Sequence, residues 1–181
     1  MKRWIGFLAL AFMLAASVAA AQPTHPNIGL GFHRVAAPIG VRWWLSGQKI
    51  AIDFGIGFGS EEDVVSDEDL SFSAFDIGLP IMLKSWDRVH FMVRPGILYE
   101  SQEVVTDGPP PPIDTDNVTT LSILGELEVE VFLADNVSFS AAHGLGIINT
   151  DFPGGGSETS FGTIGSNFTN IGFHVYLFGG Q

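Results

Sequence analysis

The feature that most constrains this chain is a period of two. From Lys49 to Phe58 the even positions are Ile50, Ile52, Phe54, Ile56 and Phe58, and the odd ones Lys49, Ala51, Asp53, Gly55 and Gly57. Successive side chains of a strand point to opposite faces, so this segment makes a strand with one apolar face and one small or charged face. The alternation recurs, less cleanly, over residues 27–34, 39–45, 70–83, 89–100, 120–133, 137–149 and 168–178. Helical periodicity is hard to find after the N-terminal apolar run. About eight strands are therefore expected, several with the roughly nine to eleven residues that a tilted membrane strand needs.

The links between these segments alternate in length. Ser46-Gly47-Gln48, Ser85-Trp86-Asp87-Arg88 and Ala134-Asp135-Asn136 are tight turns, while residues 60–69, 101–118 and 150–167 are long connections. An even-stranded antiparallel barrel, with short turns at one rim and long loops at the other, predicts this parity. The first outer link, residues 35–38, is a short exception. Charge follows the same division. Lys49, Lys84 and Arg88 sit by the turns, and Glu61, Glu62, Asp63, Asp67, Glu68 and Asp69 on the loop side.

Composition decides which face points inward. Charged residues make up 15% of the chain, against about 25% in ordinary soluble domains. A soluble lipocalin-like barrel turns its apolar face inward and needs a hydrophilic exterior. Here the non-apolar face is Gly, Ala, Ser and a few charges, which suits a narrow packed lumen. Turning the apolar face outward places Arg42, Asp53, Asp76, Arg94, Glu126, Glu128, Glu130, His33 and His90 inside. A charge in such a lumen is tolerated only when paired or hydrogen-bonded. Arg42 and Arg94 are thus the expected counter-ions of Glu126, Glu128 and Glu130, with Lys or His assistance. The network either plugs and rigidifies the barrel or forms a narrow proton- or ion-conducting file. Trp43, Trp44 and Trp86 near the turns, Tyr99 toward the loops, and Tyr176 and Phe178 near the C-terminus fit interfacial aromatic girdles.

The N-terminus adds an address. Met1-Lys2-Arg3, an apolar run from Trp4 to Ala15 and the small-residue stretch ending Ala19-Ala20-Ala21-Gln22 read as a secretory leader over residues 1–21. One barrel domain over residues 22–181 is expected to follow. The chain has no cysteine, which excludes disulfides and thiolate chemistry. Its formal charge is −12, and loss of Lys2 and Arg3 with the leader makes it −14. That sign argues against binding nucleic acid or anionic lipid through a basic patch.

The segment Asn170-Ile171-Gly172-Phe173-His174-Val175-Tyr176-Leu177-Phe178 resembles the final strand of bacterial outer-membrane barrels, although Gly179-Gly180-Gln181 follows the aromatic. With the leader, Gly78 to Lys84 before a turn, and Ala142-His143-Gly144-Leu145-Gly146, the chain is similar to small eight-stranded outer-membrane proteins of the OmpX/OmpA-barrel or porin-like type. The resemblance implies an antiparallel up-and-down transmembrane β-barrel in the cell outer membrane. It also implies partners in the barrel-assembly machinery, outer-membrane lipids and lipopolysaccharide.

Some small outer-membrane barrels are lipid A-modifying enzymes, and a deacylase of that kind calls for a His-x-Ser pair on a lipid-facing strand. His143 is followed by Gly144-Leu145 and His174 by Val175-Tyr176, so neither matches. His143 falls on the nominally lipid-facing side, which a slipped register or bulge would explain. Asp53 and Asp76 could form a carboxylate pair for acid/base work, but no nucleophile accompanies them. His25, His33, His90, His143 and His174 lack metal-ligand spacing. The acidic stretch Glu61 to Asp69 lacks the spacing of a defined calcium loop, and Pro109 to Pro112 reads as a stiff spacer. No cofactor is expected. The leading expectation is a non-enzymatic barrel with a structural, envelope-stability or surface-interaction role. A narrow transport channel and a lipid A-modifying enzyme are the alternatives.

Overall fold

The computed structural model describes residues 26–32, 34–45, 49–63, 68–106, 114–163 and 169–179. The expected leader, His33 and the polyproline stretch lie outside them. The strand segments are β1 (Pro26–Phe32), β2 (Ile39–Trp44), β3 (Ala51–Asp63), β4 (Glu68–Gly78), β5 (Ile81–Trp86), β6 (Val89–Thr106), β7 (Asp114–Ala134), β8 (Val137–Phe152), β9 (Gly156–Gly162) and β10 (Thr169–Gly179). All pairings are antiparallel. The order runs β10-β1-β2-β3-β4-β6-β7-β8, and β8 pairs β10 to close the ring.

β5 continues β4 along β6, and β9 precedes β10 along β8, so the ten segments make eight staves of an up-and-down barrel. The β4–β5 break falls at Leu79-Pro80, where the proline has no N–H for the ladder. Flanking bonds hold the stave in place: the Leu79 amide donates to the Pro95 carbonyl and the Ala51 amide to the Pro80 carbonyl, both at 2.9 Å. The strand expected over 70–83 is therefore two segments.

The outer face is apolar. On β7 it carries Leu121, Ile123, Leu127 and Leu133, 46–56% exposed, and it turns polar at Thr119, Asn117 and Thr115. Residues 121–133 run roughly 43 Å along the strand, or about 30 Å along the barrel axis at a tilt near 45°. That matches the hydrocarbon core of a bilayer, and a belt of this extent in water would be an aggregation surface. The exterior is that of a transmembrane barrel.

Three long links are shorter than the alternation predicts, because the ladders continue past the belt. β3 runs to Asp63 and β4 starts at Glu68, β6 runs to Thr106 and β7 starts at Asp114, and the stretch after Thr150 contains the rest of β8 and all of β9. The β8–β9 turn is made by Gly154 and Gly155, with φ of 82° and 92°, a left-handed backbone that glycine adopts without steric cost.

The girdle assignments are corrected in part. Trp43, Trp86 and Tyr99 face outward, but Trp44 and Tyr176 point into the lumen, each 2% exposed. Alternation explains it, since Trp43 and Trp44 are neighbours on β2 and must face opposite sides. The side chain of Phe178 lies outside the described residues.

Candidate functional site in the barrel lumen

The lumen holds three arginines, Arg34, Arg42 and Arg94, and five carboxylates, Asp53, Asp76, Glu126, Glu128 and Glu130, all at most 2% exposed. The strand register brings them together. Arg42 lies opposite Asp53 across β2–β3. Arg94 lies opposite Glu126, Met92 opposite Glu128 and His90 opposite Glu130 across β6–β7.

Arg94 is the hub. Its Nε donates to Asp53 Oδ2 at 2.8 Å, its Nη1 to Glu126 Oε2 at 2.7 Å, and its Nη2 to Asp76 Oδ2. Arg42 makes the fork-to-fork contact with Asp53, Nε to Oδ1 and Nη2 to Oδ2, both at 2.8 Å. The same guanidinium reaches Glu128 Oε1 at 2.7 Å and Glu130 Oε2 at 3.4 Å. A planar fork of five donors can serve several carboxylates at once in fixed geometry. Space for the hub comes from β4, where a Cβ on Gly78 would collide with the Arg94 guanidinium.

Arg34 is the member that sequence reasoning missed. It sits in the turn between β1 and β2, where its amide donates to the Ala37 carbonyl at 3.3 Å. Its Nη2 grips Glu126 at 2.7 and 2.8 Å, and its Nε lies 3.3 Å from Asp76 Oδ1. Strand parity selects odd positions on β1 for the interior, which pointed to His33. Because β1 ends at Phe32, parity no longer applies at position 34. The usable signal was its neighbourhood: an arginine beside a four-residue link in a chain with more acids than bases. The other expected members, Arg42, Asp53, Asp76, Arg94, Glu126, Glu128, Glu130 and His90, are all inside. Asp53 and Asp76 both engage Arg94.

The network is flanked at both ends. Toward the short turns, Glu130 accepts from Ser138 at 2.6 Å and from the Tyr176 hydroxyl at 2.7 Å, and that hydroxyl accepts from Trp44 Nε1 at 3.2 Å. His90 and His174 bring their Nδ1 atoms to 3.7 and 4.0 Å from Glu130. Trp44, Met92, Phe132 and Tyr176 pack beneath as one apolar cluster, with the Phe132 and Tyr176 rings stacked at 5.5 Å. Toward the long strands, Leu98 and Leu124 pack with Ala36 and Ile148, so the same turn that carries Arg34 also covers it. Above lies an outer vestibule of about 460 Å³, lined by residues such as Ala36, Glu61, Leu70, Phe72 and Glu100.

On the opposite face of the wall, His143 points outward without any bulge. The β7–β8 register passes through Leu127 and His143 unbroken, and His143 pairs with Thr169 of β10. Its Nδ1 lies 2.9 Å from Thr169 Oγ1. The slipped register expected there is thus corrected: a real outward histidine is tolerated because an adjacent hydroxyl satisfies one ring nitrogen.

No protein-family model matches the chain, and no curated protein matches it. Among solved structures, a major outer membrane protein from Thermus thermophilus is similar, with a TM-score of 0.42 at 13% identity, covering 82% of this chain and 95% of that one.

Proposed function

We propose that the chain is a non-enzymatic outer-membrane protein whose sealed barrel anchors an acidic, strand-built extension at the cell surface. The observation that carries this reading is the side-chain network that crosses the lumen. Eight buried charges are knitted to one another, an apolar cluster lies below them and a turn backed by Leu98 and Leu124 lies above. A barrel of eight strands has an interior only wide enough for side chains, and here eight charged side chains and two apolar clusters occupy it. Ions crossing such a lumen would have to break arginine–carboxylate contacts in a low-dielectric interior, which costs several kcal/mol each. The reading brings the barrel-assembly machinery and outer-membrane lipid, including lipopolysaccharide, as partners. A catalytic reading has less support: the register neighbours of the outward His143 are Leu127 and Thr169, so no carboxylate stands directly opposite to orient it.

Two measurements test the proposal. Protein from outer-membrane fractions should run faster on a gel unboiled than boiled. The folded form in a planar bilayer should pass no ionic current above leak, with Glu128→Gln changing nothing. Stepwise conductance altered by Glu128→Gln would replace the anchor by a narrow channel.

A further inference from the structure

Above the membrane belt the described strands leave a slot in the barrel wall. β2 leaves β3 at the pair Ile39–Ile56, yet β3 continues to Asp63. On the other side β1 leaves β10 at Phe32–Phe173, while the β10 stave is prolonged outward by β9, which pairs only with β8. Among the described residues, therefore, Phe58–Asp63 of β3 and Gly156–Gly162 of β9 each pair on one side only. The two edges stand across the missing tops of β1 and β2, a space two strands wide, or about 14 Å from edge to edge at ordinary inter-strand spacing.

Open edges present unpaired N–H and C=O groups and are normally blunted with charged side chains, above all lysine, with proline or with a bulge. These edges carry no lysine, proline or bulge, and their only charges are the carboxylates Glu61, Glu62, Asp63 and Glu158, which turn away like-charged strands and leave a cationic one able to pair: the sequences are Phe58-Gly59-Ser60-Glu61-Glu62-Asp63 and Gly156-Ser157-Glu158-Thr159-Ser160-Phe161-Gly162. Both pair without a register shift along their one partner. Phe58 and Phe161, each 71% exposed, stand at the feet of the two edges.

The surrounding charge has one sign. No Lys or Arg occurs after Arg94, and none lies between Lys49 and Lys84, so the extensions of β3, β4, β6, β7, β8 and β9 hold carboxylates alone. Within about a Debye length, ~8 Å at physiological ionic strength, these act together. A second copy of this chain would bring the same negative rim and be repelled, and nucleic acid likewise.

We infer that the slot takes an extended, lysine- or arginine-bearing polypeptide segment, which adds as a strand to an open edge and sets its cations against Glu61, Glu62 and Glu158. Main-chain pairing supplies the affinity and the acidic rim selects the partner. This rests on the anchor reading above, since the slot is useful only if the extension stands outside the membrane.

The test uses the full folded protein in detergent micelles, with a synthetic peptide of alternating Lys and Val. Controls are a Glu–Val peptide and spermine, a polycation without a peptide backbone. Fluorescence anisotropy reads binding and amide hydrogen exchange reads location. The Lys–Val peptide is expected to bind and to slow exchange about tenfold or more at amides in 58–63 or 156–162, as strand pairing requires. The Glu–Val peptide should not bind, and spermine should leave edge exchange unchanged. Glu61→Gln with Glu62→Gln, both on the solvent-exposed extension, should weaken binding about two- to tenfold. Absence of binding, or binding that leaves the edge amides unprotected, would overturn the inference while the barrel stands. Loss of heat-shifted gel mobility would refute the barrel anchor itself, and the slot with it.

Discussion

Replacing Arg94 by methionine tests the lumen most directly. The substitution keeps most of the volume and removes the donors that hold Asp53, Asp76 and Glu126. The formal balance falls from three arginines against five carboxylates to two against the same five. Removing one partner from a buried ion pair costs about 3–5 kcal/mol, because the remaining charge is left uncompensated in low dielectric. For a urea dependence near 2 kcal/mol per molar, that lowers the unfolding midpoint by roughly 1.5–2.5 M. Tryptophan emission of the barrel in lipid vesicles reads it. The decisive comparison is a double-mutant cycle with Asp76→Asn. If the cost is uncompensated carboxylate charge, the double variant is less destabilised than the two singles combined, by about 1 kcal/mol or more. A loss under about 1 kcal/mol for Arg94→Met, or additivity within about 0.5 kcal/mol, would refute the electrostatic account.

Three further outcomes are expected. Gly78→Ala drives a methyl group into the Arg94 guanidinium and should destabilise by about 1–3 kcal/mol, read by the same urea titration. Tyr176→Phe removes the donor to Glu130 and the acceptor for Trp44 and should cost about 1–3 kcal/mol, with altered tryptophan emission in the folded state. On the outer extension, the amide and hydroxyl of Ser71 both donate to Glu103, at 2.9 and 2.7 Å, and hold that carboxyl below the ordinary glutamate range. A depressed folded-state value means that the contact stabilises above the unfolded-state value and is lost as pH falls through the folded one. The Ser71 amide signal should therefore stay constant on acidification until below the range of free glutamates, and Glu103→Gln should abolish the transition.

The sequence disclosed the barrel because a strand half in lipid has no freedom in its alternation: Ile50, Ile52, Phe54 and Ile56 share one face, as their spacing requires. The same rule placed Arg42, Asp53, Asp76, Arg94, Glu126, Glu128 and Glu130 inside without knowledge of any contact. It failed where alternation stops or loses its hydrophobic contrast. Arg34 follows the last β1 residue, so its direction is set by a turn and by the pull of Glu126. β9 is polar or glycine at every position but Phe161, so composition alone marked its stretch as loop. Residue type alone puts Trp44 and Tyr176 in the girdle, whereas their parity and their shared bond near Glu130 put them within.

The hub at Arg94 also bears on how the chain reaches its membrane. Its partners come from β3, β4 and β7, and Arg34, which shares Glu126, arrives from a turn 92 residues earlier than that glutamate. A sheet of the first few strands, lying in lipid before β7 is in place, would turn Asp53 and Asp76 toward hydrocarbon with their arginines only half engaged. Partial insertion would thus be penalised until β7 and the Arg34 turn close on these carboxylates. Buried charges of this kind would favour a path in which the staves curl together at the interface and enter the bilayer as a nearly complete cylinder.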